Sequence, residues 1–154
     1  RPERYGIAFK ALRENGIDVS TEMIIGLDGD NESVFENTYK FIIENKISIP
    51  RVHIITPIPG TQLFEKMISE NRITSQDFSR YSGGKANFVP KNISAQLLQN
   101  GYWDLYKKLF SWHSILKRIF VNEANLGPYM QAVVWAVNLR YKYHVHHKIC
   151  PGIV

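Results

Sequence analysis

The stretch EMIIGLDGDNESVFENTYKFIIENKI, residues 22–47, runs from an apolar segment through a Gly/Asp-rich corner into an amphipathic pattern. About thirty residues on, HIITPIPGTQLFEKMISENRI, residues 53–73, repeats that grammar with prolines in the corner. Apolar runs of four to six residues bounded by Gly and Pro read as buried strands, and the 3.6-residue spacing after each corner reads as a helix. Strand–corner–helix twice in succession, with short links, is the pattern of parallel strands joined by right-handed crossovers. The expected strands are 18–26 and 51–57, with Val19, Ile24 and Ile25 buried. Ligands of such folds sit at the carboxyl ends of the strands, here Gly26 to Asp30 and Thr56 to Thr61.

Outward from this repeat, Tyr5, Ala8, Phe9 and Leu12 stand at helical spacing before Gly16, a natural stop. Asp30 or Asn31 is expected to cap the helix over residues 32–46, and Thr61 the next helix in the chain. Residues 74–93 lack periodicity and read as a linker loop. Residues 94–120 read as one long amphipathic helix with a break near Gly101, and Pro128 is a good first residue for a last helix. The expected organisation is therefore an α/β unit over 1–73, a linker over 74–93 and a basic helical extension over 94–154.

Composition narrows the classes. The chain has 154 residues, of which 44% are hydrophobic and 21% charged, enough to bury a core in one domain or a piece of one. It opens at Arg1 inside a helical pattern with no initiator Met, which reads as a fragment. Its longest apolar stretch, YMQAVVWAVNL, is about half a membrane span and holds Gln131 and Asn138. The single cysteine, Cys150, allows neither an internal disulfide nor a thiolate-only metal cluster, and a reducing, cytoplasmic compartment is the default. The net charge of +5 is uneven: residues 91–154 hold 8 Lys/Arg against only Asp104 and Glu123. Acidic partners such as anionic lipid, nucleic acid or another domain would meet this half.

The segments GIDVSTEMIIGLDGDNESVFENTYKFI and PRVHIITPIPGTQLFEKMISENRI together resemble the C-terminal half of radical S-adenosylmethionine (SAM) enzymes. The resemblance is to the cobalamin-binding type, including hopanoid-processing members, and covers residues 3–73, with a weaker likeness in the tail. It implies the last strands of a partial, TIM-like β/α barrel followed by a helical extension. It further implies SAM, a [4Fe–4S] cluster held by three cysteines spaced C-x3-C-x2-C, and cobalamin in many members. The reaction would be reductive cleavage of SAM and radical-based methyl transfer to, or modification of, an organic substrate. No such cysteine motif is present, so this chain would supply part of the pocket and not the cluster. The family's strand motif G-x-I-x-G matches here at Ile24 and Gly26, with Glu22 where the first glycine would stand. By that match Ile24, Ile25, Gly26, Ile55 and Thr56 would contact cofactor, and Glu22 and Pro57 substrate. Implied partners are the upstream half of the barrel and a small or lipid-like substrate, with peripheral membrane contact and no nucleic acid.

Several motifs have plainer readings. Counted from Asp28, the calcium-loop positions for Gly and Glu hold Ser33 and Tyr39, so DGDNE is corner and cap chemistry. HVHHK, from His144, has no neighbouring carboxylate and reads as a solvated basic tail. Glu22 either meets ligand or pairs with a residue such as Arg51, and His53 reads as a structural hydrogen-bonding residue. The aromatic run from Tyr102 to Trp112 reads as a packing face with snorkelling lysines. Two other readings of the chain are a different α/β barrel enzyme or an inactive pseudo-enzyme half, and a basic helical interaction module that binds lipid surface or nucleic acid.

Overall fold

The structure, a computed structural model, describes residues 2–75, 77–120 and 126–151. The helix α1 (Pro2–Glu14) leads into β1 (Ser20–Ile25), α2 (Val34–Glu44), β2 (Ile49–Ile54) and α3 (Gln62–Ser69). A 3-10 turn at Phe78–Arg80 comes next, then α4 (Ala95–Leu109), α5 (Trp112–Phe120) and α6 (Pro128–His146). Among the described residues this is a mixed α/β chain with two parallel strands and six α-helices.

β1 and β2 pair in parallel with Glu22 opposite Arg51, Met23 opposite Val52, Ile24 opposite His53 and Ile25 opposite Ile54. β2 starts earlier than the sequence suggests and takes in Pro50, since a proline is tolerated near the first residue of a strand. It also ends earlier, at Ile54, although the Ile55 N–H still donates to the Ile25 carbonyl at 2.9 Å. Helices cover one face of the pair. Ile25, Val52 and Ile54 are buried there with Ile42 of α2 and with Leu98, Tyr102 and Leu105 of α4. The opposite face is bare, and Ile24, expected in the core, is 57% exposed on it. Alternation along a strand sends neighbours to opposite faces, so the helices that bury Ile25 leave Ile24 on the other side.

The two edges of this small sheet differ. At the outer edge of β2 the Tyr106 hydroxyl accepts from the Val52 N–H at 2.9 Å and donates to the Val52 carbonyl at 2.8 Å. The Ile54 N–H donates to the Gly83 carbonyl at 2.6 Å. A side chain and a loop thus stand in for a third strand. Among the described residues no strand pairs with the outer edge of β1. α4 is continuous through Gly101, where a Cβ would run into the Phe35 ring of α2. The expected break falls instead at Phe110–Ser111, where the Ser111 hydroxyl accepts from the Ser114 N–H at 3.2 Å and starts α5.

Candidate functional site

The bare face carries Glu22 and Ile24 from β1 and Arg51 and His53 from β2. Glu22 pairs with Arg51 at 3.0 Å, one of the two roles the sequence left open for it. Beyond this pair, Ile24, His53, Ile55, Thr56 and Gly83 line an open cavity of about 390 Å³ at the strand ends. The Thr56 hydroxyl turns back to the Ile54 carbonyl at 3.2 Å, which leaves its methyl and backbone to the cavity wall. The wall is apolar on both sides of an imidazole.

His53 is tied to that place by Gly83. A Cβ on Gly83 would stand 2.9 Å from His53 Nδ1 and 3.1 Å from its Cβ, so only glycine lets the 82–84 turn back onto the ring. His53 Nδ1 is buried and has no hydrogen-bond partner among the described residues. Burial, opposed by the Glu22 carboxylate, pushes the imidazole pKa below its ordinary 6.5 and keeps the ring neutral. A base whose folded pKa lies below the unfolded value supports the fold fully above pH 6.5 and loses that support as the pH falls through the folded value. Urea unfolding midpoints should therefore fall as the pH drops from about 7 to 5, and less steeply in His53→Gln. Equal slopes in both proteins would show that protonation of His53 does not oppose folding.

Of the other expected contact residues, Ile25, Gly26 and Pro57 are not among those that line this cavity. Ile25 is 1% exposed, with its side chain in the core under α4. Gly26 is buried behind it at φ +89°, and a Cβ there would meet Leu98 Cδ2 at 2.8 Å. A left-handed turn and the nearness of Leu98 are each a reason for glycine here. Pro57 is buried and outside the cavity lining. Asp30 does not cap α2. Its carboxylate reaches back to accept from the N–H groups of Gly26 and Leu27 at 2.8 and 2.9 Å, closing the strand end. Asn31 accepts from Ser33 instead, and the helix starts after Ser33.

Asp28 anchors the same corner to the chain beyond α3. Its carboxylate meets Arg72 at 2.7 Å, Lys66 at 3.2 Å and Lys91 at 3.4 Å, and its carbonyl accepts from Asn92 at 2.8 Å. The Arg72 hydrogen bond, with Lys66 and Lys91, holds this carboxyl well below the usual carboxylate range. Part of the segment expected as a linker packs into the core, at Gly83, Gly84, Asn87, Phe88, Pro90 and Ile93. Phe88 is fully buried, it bridges to Ile73, and Arg72 Nε donates to the Val89 carbonyl at 2.7 Å. Gly83 was missed as a lining residue. The Ser-Gly-Gly run in a segment without periodicity was the signal that a backbone turn approaches something closely.

A family model described as Domain of unknown function (DUF4070) matches residues 61–149, more than half of the chain. The chain belongs to this family. The DUF4070 match starts at Thr61, the cap of α3, and runs through α6, across both expected domain boundaries. Bacteriochlorophyllide d C-12(1)-methyltransferase of Chlorobaculum tepidum is 30% identical over 138 residues, which cover 90% of this chain and 28% of that protein. Bacteriochlorophyllide d C-8(2)-methyltransferase of the same organism is 22% identical over 155 residues, covering 99% of this chain and 34% of that protein. Anaerobic magnesium-protoporphyrin IX monomethyl ester cyclase of Cereibacter sphaeroides is 25% identical over 103 residues, covering 67% and 16%. The chain thus spans about a third or less of the length of these curated relatives.

Proposed function

We propose that this DUF4070 chain is the C-terminal part of a radical SAM enzyme that methylates or otherwise remodels a large, apolar organic ring system. The observation that carries the reading is the parallel pair β1–β2, covered by helices on one face and bare on the other, with no strand among the described residues beside the outer edge of β1. All-parallel sheets are buried on both faces, so a bare face and an open edge call for more strands of the same barrel wall. The upstream half of the barrel would pair with β1 and close over Glu22, Ile24 and His53. The relatives support the chemistry, since two are named methyltransferases and one a cyclase of tetrapyrroles.

The residues present fit one side of a SAM site. Ile24 and Ile55 offer flat apolar contact for a planar base, and the His53 ring stands at the same wall. The pair Glu22–Arg51 borders the lumen face, where it would orient a polar end of the substrate. Cluster ligation would come from cysteines outside this chain. Its single thiol, Cys150, lies 2.8 Å from the Tyr102 hydroxyl, behind the helix-covered face, and burial raises its pKa. When bound, the cluster and SAM, with cobalamin where it is used, supply the radical chemistry and the methyl group. This chain's residues shape, dry and orient.

The test uses the full-length protein, anaerobically reconstituted with iron and sulfide. With dithionite it should convert SAM to 5′-deoxyadenosine or S-adenosylhomocysteine. Ile24→Asp places a charge on an exposed wall position and should weaken SAM binding about tenfold or more, with the cluster absorbance unchanged. A cluster-loaded protein that leaves SAM intact, or unchanged SAM affinity in a folded Ile24→Asp protein, would remove the reading.

A further inference from the structure

The helical half carries an apolar surface that nothing among the described residues covers. On α5, Trp112, Leu116 and Phe120 recur every fourth residue and are 54%, 40% and 73% exposed. On α6, Trp135, Leu139 and Tyr143 recur at the same spacing, the first half-buried and the others 44% and 59% exposed. Two contacts set these stripes side by side. The Phe120 and Trp135 rings are 5.6 Å apart at one end, and Lys142 Nζ stands 5.1 Å from the Trp112 ring at the other.

Next to this face, α4 and α6 enclose a groove of about 610 Å³ with Trp103 and Phe110 among its walls. Lys107, Lys142 and Lys148 stand around it. All three tryptophans of the chain therefore lie on the face or in the groove. Among the described residues from 91 onward Asp104 is the sole acid, and it pairs with Lys107 at 2.9 Å. Lys142 donates to the Phe110 carbonyl at 3.2 Å, and among the described residues neither it nor Lys148 has a carboxylate partner.

We propose that the α5–α6 face, with the adjoining groove, docks the protein on an anionic lipid bilayer. Contiguous exposed apolar surface of this kind marks an interaction site. Trp and Tyr favour the headgroup boundary, where one end of the ring is dry and the other wet, and lysines beside them meet anionic headgroups. The charge selects among occupants. A second copy would bring the same lysines against these, whereas an anionic leaflet complements them. Nucleic acid would complement them too, but the middle of each stripe is a leucine, which offers a base no stacking face. Among the described residues no helix is long and apolar enough to cross a membrane, so the face lies along the surface. This inference uses none of the residues of the strand-end cavity.

Flotation of the full-length protein with vesicles is the test, comparing three parts phosphatidylglycerol in ten with phosphatidylcholine alone. The protein should float with the anionic vesicles, and less so as salt is raised from about 0.1 to 0.5 M. Trp112→Ser/Phe120→Ser should weaken binding about tenfold or more with the thermal midpoint retained, since both side chains are exposed. Lys107→Gln/Lys148→Gln should weaken it about thirtyfold, at roughly fivefold for each basic residue near an anionic surface. Failure to float, equal binding to neutral vesicles, or unchanged binding in either variant would overturn the proposal. So would a dimer that Trp112→Ser/Phe120→Ser dissociates, or RNA binding that depends on the same lysines without vesicle binding.

Discussion

Arg118→Met should lower the unfolding free energy by about 3–5 kcal/mol and the thermal midpoint by roughly 10 °C. Arg118 is fully buried. Its guanidinium donates to the carbonyls of Ile47, Ser48 and Leu109 at 3.2, 2.7 and 2.9 Å and to Asn138 Oδ1 at 3.1 Å. Leu109 ends α4, and Ile47 and Ser48 lie in the link from α2 to β2, so the charge sits where a helix C-terminus and a connecting loop both present carbonyls. The bend after Phe110 is what turns the Leu109 carbonyl to Arg118. Burial pulls the Arg118 pKa down to about 10, which leaves the group charged at neutral pH. Two terms oppose each other in the substitution. Met removes the desolvation cost of a buried cation, which alone would favour folding. It also strands the acceptors, at about 1–3 kcal/mol for each that no water reaches. The Ser48 carbonyl keeps the Asn138 Nδ2 donor at 3.0 Å, so three acceptors stand against one cation, and the second term wins. Arg118→Lys keeps the charge but not the planar fork, and should fall between wild type and Arg118→Met. Thermal and urea unfolding of the three proteins decide this. A midpoint for Arg118→Met within a degree or two of wild type would mean that desolvation dominates and the carbonyls find other donors.

Arg118 also marks where sequence reading stops. In sequence it stands beside Lys117 in a basic stretch and counts as surface charge. Its burial depends on Ser48 and Asn138, which meet it only after the chain has folded, and no local pattern signals that. Tyr106 is similar. Spacing places it on the buried face of α4, correctly, but nothing local shows that its hydroxyl closes the edge of β2. What was legible is what local chemistry dictates. Apolar runs, Gly and Pro corners and helical spacing gave both strands, their parallel sense and α2 and α3, and Thr61 caps α3 by accepting from the Phe64 N–H at 3.3 Å. At the site the strand ends were legible and the facing was not. Period-two alternation divides Glu22, Ile24 and His53 from Met23, Ile25 and Val52, but only the side taken by α2 and α4 says which set is bare. Gly101 makes the same point. A helix-interior glycine suggests a break, whereas here it admits the ring of Phe35.

For Gly26, the structure adds a stability effect to the expected ligand effect. Gly26→Val should cost about 3 kcal/mol of unfolding free energy, the sum of strain at a left-handed φ and of overpacking. The residue sits at φ +89°, its N–H is held by the Asp30 carboxylate at 2.8 Å, and a Cβ would stand 2.8 Å from Leu98 Cδ2. The backbone therefore cannot swing to a β-region φ without breaking the turn, and Leu98, fully buried, has little room to yield. Gly26→Ala meets the same φ with less bulk and should cost roughly 2 kcal/mol. Gly29→Ala is the control. Nothing lies within 4 Å of a Cβ there, so its effect should stay within about 0.5 kcal/mol. The steric part can be separated from the backbone part by a cycle with Leu98→Ala. That substitution alone removes a core side chain at about 2–4 kcal/mol. In the Gly26→Val background it also opens the space the valine needs, so the double variant should be more stable than the sum of the two by about 1 kcal/mol. Additivity in that cycle would assign the whole cost to the positive φ. A Gly26→Val protein that unfolds at the wild-type midpoint but binds SAM poorly would instead return Gly26 to the cofactor wall.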